Sequence, residues 1–181
     1  MGRDMNLFDL NTNTTTMNID GIDIEMKPAI CFGKVYDKWL VSRCGKVWSV
    51  KKNRLITGQL THTYNKNSKR IDKIQYDIVL NEADWWEDSS SSLHHRGYYW
   101  GRKISCHKMI MDTWAPLYDN PPEGIVWEEW KIVRDLPSVY NHISKTGSID
   151  HIDDDPKNNH IDNLRRVNDW DNQKTRKAKG I

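Results

Sequence analysis

The sequence predicts an α+β chain: an N-terminal antiparallel β-rich module, then a strand–loop–strand–helix unit that ends the chain. Three observations carry that prediction. Short runs of alternating apolar and polar residues meet at glycine-bearing turns in the first half. Helical spacing is confined to the second half. From Ser148 to Asn172, two short strand-like runs flank a polar turn and lead into a capped helix. A length of 181 residues accommodates one domain, or a small module joined to a catalytic unit, and nine Trp with seven Tyr supply bulky side chains for a core.

Taken in order, residues 1–28 are Asn/Thr-rich, with Asn11-Thr12-Asn13-Thr14-Thr15-Thr16, and read as a poorly ordered, flexible arm. The opening Met1-Gly2-Arg3-Asp4 before Met5 has the form of an expression addition. Residues 29–93 form the β-rich module. Lys38-Trp39-Leu40-Val41-Ser42 and Lys46-Val47-Trp48-Ser49-Val50 alternate around Arg43-Cys44-Gly45, which predicts a hairpin with a glycine turn. Tyr76 to Leu80 reads as a further strand, and 82–92, ending in four serines, as an exposed loop. Residues 94–181 form the second unit. Tyr98-Tyr99-Trp100, Gly101 and Arg102 to Cys106 suggest another hairpin; His107 to Trp114 has helical spacing and stops before Pro116. Pro121-Pro122-Glu123-Gly124 is a turn, and Trp127 to Tyr140 is ambiguous, broken by Pro137. Ser148 to Ile152 is a strand, 153–159 a turn-rich loop and Asn163 to Val167 a second strand. Asn168 fits a helix N-cap with Asp171 three residues on, which places Asn172 at the end of the first helical turn.

Net charge is only +2, but the cations are clustered. Lys46, Lys51, Lys52, Arg54, Lys66, Lys69, Arg70 and Lys73 fall together with Asp72 as the sole acid among them, and Arg165, Arg166, Lys174, Arg176, Lys177 and Lys179 gather at the end. Such local patches are the footprint of a polyanionic partner or the solvated faces of a soluble protein. Three separated cysteines, Cys31, Cys44 and Cys106, argue against a disulfide framework or a structural zinc site. No apolar run reaches membrane-spanning length and no signal-peptide pattern opens the chain, so the expectation is a cytoplasmic protein that does not engage a membrane.

The final unit carries the chemistry. Hydrolysis of a phosphodiester needs a water made nucleophilic, a counter-charge on the phosphate and help for the departing oxygen. A histidine such as His151 can take the proton from water, its ordinary pKa near 6.5 suiting a base around neutrality. A hard divalent cation supplies the rest, and magnesium prefers few protein ligands, all oxygen. Asp150 and Asn172 would offer one carboxylate and one amide oxygen. On a strand, Asp150 and His151 point to opposite faces, so either the chain bends at the strand end or each reaches the substrate from its own side. Asn163 would bond the facing loop and fix the histidine's geometry. Rival metal sites fail. Asp153-Asp154-Asp155 lacks the glycine and the terminal glutamate of a calcium loop, and His142, His151 and His160 have no zinc-ligand spacing. His107 reads as structural, and Trp48 as core rather than a DNA contact.

Asp150-His151-x-Asp153, Asn158-Asn159, Asn163-Leu164-Arg165 and Asn172 resemble the HNH, or ββα-metal, nuclease motif of phage and intron-encoded homing endonucleases. The segment Cys106 to Trp114 is similar to the helix that precedes that motif, and Trp39 to Ser42 with Gly45 to Ser49 resembles the upstream NUMOD4-type module. The resemblance implies a ββα-metal fold and cleavage of double-stranded DNA with one Mg²⁺, or Mn²⁺ in its place. It implies His151 as general base, Asp150 and Asn172 as metal ligands, and Asn163 as loop organiser. Phosphate contacts are then expected from Lys46, Lys51, Lys52, Arg54, Lys66, Lys69 and Arg70, and from Arg165, Arg166, Lys174 and Arg176 near the cut. Asp154 departs from the family by standing where many relatives have glycine. A site-specific homing-type endonuclease, a low-specificity HNH nuclease and a catalytically silent DNA-binding module remain open, as do monomer or dimer, and nicking or double-strand cleavage.

Overall fold

The computed structural model describes residues 13–31, 33–64, 70–78 and 102–168. The fold is α+β, and among the described residues its strands form three antiparallel sheets. The first sheet holds β1 (Thr15–Ile19), β2 (Ile22–Cys31), β3 (Lys34–Ser42), β4 (Val47–Ser49) and β5 (Arg54–Ile56) in chain order. The second joins β6 (Gln59–Tyr64), β7 (Arg70–Ile78) and β8 (Arg102–Ser105). The helices are α1 (Cys106–Trp114), α2 (Trp127–Val133) and α3 (Pro137–Thr146). The third sheet pairs β9 (Gly147–His151) with β10 (Leu164–Asn168).

The arm expected over residues 1–28 is corrected from residue 15 on, while 1–12 lie outside the described residues. Asp20 and Gly21 take φ of 55° and 81°, the left-handed pair that a two-residue hairpin turn requires, and Thr15 to Ile19 pairs with Ile22 to Met26 across it. Asn18 secures the turn by accepting from the Gly21 amide at 3.2 Å and donating to Asp23 at 2.7 Å. Met26 is fully buried, so the polar Asn/Thr texture gives way to core within the same hairpin.

The hairpin around Arg43-Cys44-Gly45 forms as expected, with β3 paired to β4. Its turn closes through Gly45 N–H to Ser42 C=O and through the buried Ser42 hydroxyl, which accepts from the Lys46 amide at 2.9 Å. In β4, Val47 and Ser49 face inward and Trp48 lies half-buried on the other face. The expected strand at 76–80 begins earlier, at Arg70, and its residues 79–80 lie outside the described residues. The first strand of the hairpin expected at 98–106 also lies outside them; the second, β8, pairs with β7. Pro137 does break the ambiguous stretch, standing at the first position of α3, where its missing N–H costs no helical bond.

α1 binds these parts together. It lies on β2 and β3 and also meets β7, β8, β9 and the turn before β10. Thr113 on α1 accepts the Ile30 amide of β2 at 2.9 Å, and Trp114 Nε1 donates to Val41 C=O of β3 at 3.2 Å. One apolar cluster joins Ala29, Val41 and Val47 of the first sheet to Cys106, Met109 and Ile110 of α1 and to Ile161 and Leu164 beside β10. The β9–β10 unit therefore shares its core with the N-terminal sheet. Among the described residues no helix is long and apolar enough to cross a membrane.

Candidate active site

Asp150 and His151 end β9, and antiparallel pairing sets Arg165 directly opposite Asp150 and Leu164 opposite His151. The chain turns at once after His151: the Ile152 amide donates to Asn163 C=O at 2.9 Å and the Asp154 amide to His151 C=O at 3.0 Å. The bend at the strand end, one of the two possibilities that strand alternation leaves open, is thus present, with Asp150 and His151 starting from opposite faces of β9. Asp154 has a φ of 63°, the left-handed conformation that favours glycine, and aspartate is among the few other residues that accept it.

Asn163 bonds the loop that follows β9 at three points. Its Nδ2 donates to Asp153 Oδ1 and to Asn158 C=O, both at 2.8 Å, while its Oδ1 accepts the Asp153 amide at 3.1 Å. Asp153 is the hub that sequence reasoning left without a role. It accepts from Asn158 Nδ2 at 2.7 Å, from Asn163 and from the Asp155 amide at 2.9 Å. Those bonds, Asn158's first, hold its carboxyl below the usual aspartate range.

His151 is half-buried and held through Nε2, 3.1 Å from Asn159 Oδ1. Asn159 is itself only 4% exposed, and its Nδ2 donates to the carbonyls of Pro156 and Lys157 at 3.3 and 3.2 Å. With the amide nitrogen so engaged, Oδ1 accepts, so Nε2 is the donating nitrogen of His151 and Nδ1 lies on the other side of the ring. The His107 ring packs edge-on against His151, centroids 5.4 Å apart. Behind Asn159 stands the β3–β4 turn. The Ile161 amide donates to Arg43 C=O at 2.8 Å, and a Cβ on Gly45 would lie 3.3 Å from Asn159 Cβ.

Asp150 is 8% exposed and ion-paired. Arg165 Nε and Nη2 both reach its Oδ2, at 3.2 and 2.9 Å, so Oδ1 stays outside that pair. The other edge of the guanidinium, Nη1, bonds Glu123 at 3.1 Å to Oε1 and 2.9 Å to Oε2. Arg165 is driven further above the usual arginine range, chiefly by its bond to Asp150. Arg166 likewise turns inward, to Asp112 at 3.0 Å and Ala115 C=O at 3.3 Å. The two arginines expected at phosphate thus carry ion pairs within the protein. Lys51, Lys52 and Arg54 are exposed on and beside the β4–β5 turn, and Lys46 is half-buried next to Gly45. Arg70 opens β7, and Lys66, Lys69, Asn172, Lys174 and Arg176 lie outside the described residues, as does the expected final helix.

Among the described residues no three His, Cys, Asp or Glu side chains converge as a metal-binding group. The expected set asks for a single carboxylate there, and the chemistry of Asp150 is compatible with it: a held, hard carboxylate with one oxygen clear of its arginine.

No protein-family model matches the sequence, for the HNH-like or the NUMOD4-like segment, and no curated protein matches it. Among solved structures, the fold is similar to one described as "DNA binding and cleavage by the HNH homing endonuclease I-HmuI", at 16% identity and a TM-score of 0.42. The match covers 80% of this chain and 55% of that one, so this chain spans about half the length of that protein.

Proposed function

We propose that this chain is a metal-dependent, site-specific DNA endonuclease of the free-standing homing type, hydrolysing phosphodiester bonds in double-stranded DNA. The observation that supports it most is His151, held through Nε2 by Asn159, beside a buried, oriented Asp150 at the end of one strand. His151 Nδ1 takes the proton of the attacking water, while Nε2–H stays on Asn159 and keeps the ring from turning. Asp150 and Asn172 would hold one Mg²⁺ or Mn²⁺, which when bound supplies counter-charge to the phosphate and the leaving 3′ oxygen. Asn163 keeps the loop closed around Asp153 so that His151 and Asn159 stay in register. Lys46, Lys51, Lys52 and Arg54, with Lys66, Lys69, Arg70, Lys174 and Arg176, would grip the phosphate backbone, and affinity would fall steeply with salt. The setting is intracellular, where DNA is the substrate at hand.

The test incubates supercoiled DNA from the native genomic neighbourhood, and an unrelated plasmid, with protein plus Mg²⁺ or EDTA. Metal-dependent cutting at one mapped site is expected. His151→Ala should cut about 10²–10⁴-fold more slowly while binding DNA as before. Cutting of both DNAs alike would move the role to a general nuclease, and binding without cutting of either would leave a DNA-binding module.

A further inference from the structure

Arg165 presents a problem for a metal ligand beside it. A guanidinium readily forks onto both oxygens of a carboxylate, which would close Asp150 to any cation. The structure holds it back from doing so. Nε and Nη2 converge on Oδ2 alone, and Nη1 is drawn the other way by both oxygens of Glu123. Glu123 comes from the turn between α1 and α2, and that turn is fastened to the same strand: the Glu123 amide donates to Arg166 C=O at 2.8 Å. Gly124 follows with a φ of 88°, which turns the chain back after Glu123. The carboxylate is therefore set at a fixed height on β10, level with the residue it must restrain.

We propose that Glu123 is a positioning residue of the metal site: by holding the outer edge of Arg165 it keeps that arginine on one oxygen of Asp150 and leaves the other for a divalent cation. One guanidinium between two carboxylates also leaves the trio net negative, so Arg165 steadies Asp150 without making the site repel a cation. The inference rests on the reading of Asp150 as a metal ligand.

The experiment measures Mn²⁺ binding by electron paramagnetic resonance, with no DNA present, in four full-length proteins: wild type, Glu123→Gln, Arg165→Gln and the double variant. Glu123→Gln should weaken Mn²⁺ roughly 3- to 10-fold, less than the approximately 10–100-fold typical of a group bonded directly to the metal ligand. In the Arg165→Gln background the same change should do nothing, because the arm it restrains is gone. Melting temperature and DNA affinity in EDTA should be unmoved, since the Glu123 side chain is 55% exposed. Arg165→Lys, which cannot fork onto two oxygens, replaces Arg165→Gln if the latter does not fold. Equal weakening in both backgrounds would show a direct charge effect on the ion, and no weakening in wild type would show no effect at all; either overturns the proposal. A wild type that binds no Mn²⁺ rejects instead the reading of Asp150 on which it stands.

Discussion

Asp150 is held by charge, through Arg165 and Glu123, whereas His151, one residue further on, is held by the neutral amide of Asn159 and the ring of His107. The two neighbours are thus served by separate parts of the molecule. The Asp150 side is built from β10 and the turn before α2. The His151 side is built from the 153–160 loop, α1 and, behind Asn159, the β3–β4 turn. The difference suits the two tasks proposed for Asp150 and His151. A cation ligand tolerates a charged partner as long as one oxygen stays open. A base needs one ring nitrogen committed and the other left for the proton.

Asn159 separates the two sides with the largest effect. Asn159→Ala releases the Nε2–H of His151, so kcat should fall about 10- to 100-fold, while Mn²⁺ affinity stays at the wild-type value. Equal losses in rate and metal affinity would mean that the two sides are one unit. Gly45 tests the same side from further back. Its φ is 83°, and a Cβ there would lie 3.1 Å from both Cys106 Sγ and Ile110 Cδ1. Gly45→Ala should destabilise by about 2–4 kcal/mol, combining left-handed strain with overpacking, and a urea midpoint read at one pH measures it.

Asp153, in the loop on the His151 side, carries the smallest effect. Its folded carboxyl is shifted below the ordinary value of 3.8, so the stability it contributes is present above that pH and is lost as pH falls through the lowered value. Urea midpoints of wild type and Asp153→Asn should differ at pH 7 and converge below about pH 4. A gap that persists unchanged to pH 3 would mean that the carboxylate charge contributes nothing.

The sequence displays the last unit well because its chemistry is local. Strand, polar loop and strand follow within a short span, and Asn163 reaches loop groups only 5 and 10 residues away. The partners of Asp150 and His151 are harder to read. Glu123 lies 42 residues from Arg165, and an asparagine in a polar turn looks the same whether it faces water or, like Asn159, is buried against a histidine. The inward ion pairs of Arg165 and Arg166 cannot be read from pattern, since pattern gives charge and not direction. Two strands that the sequence reading missed had visible signals. Asp20-Gly21 between Ile19 and Ile22 is a strong hairpin mark, outweighed by the Asn/Thr run before it. β6, Gln-Leu-Thr-His-Thr-Tyr, is rich in strand-forming Thr and Tyr but poor in apolar residues, so it lacks the usual alternation of a half-buried strand.

The seating of Asn159 and Ile161 on the Arg43–Gly45 turn bears on how such a chain can be inherited. A gene fragment carrying only the C-terminal motif would deliver Asp150 and His151 without the surface on which Asn159, the partner of His151, is seated. Recombination between relatives at the apparent border of the two halves would then yield folded hybrids with slackened histidines, unless the turn and the loop were exchanged as a pair. The unit of descent for this site is the hairpin together with the motif.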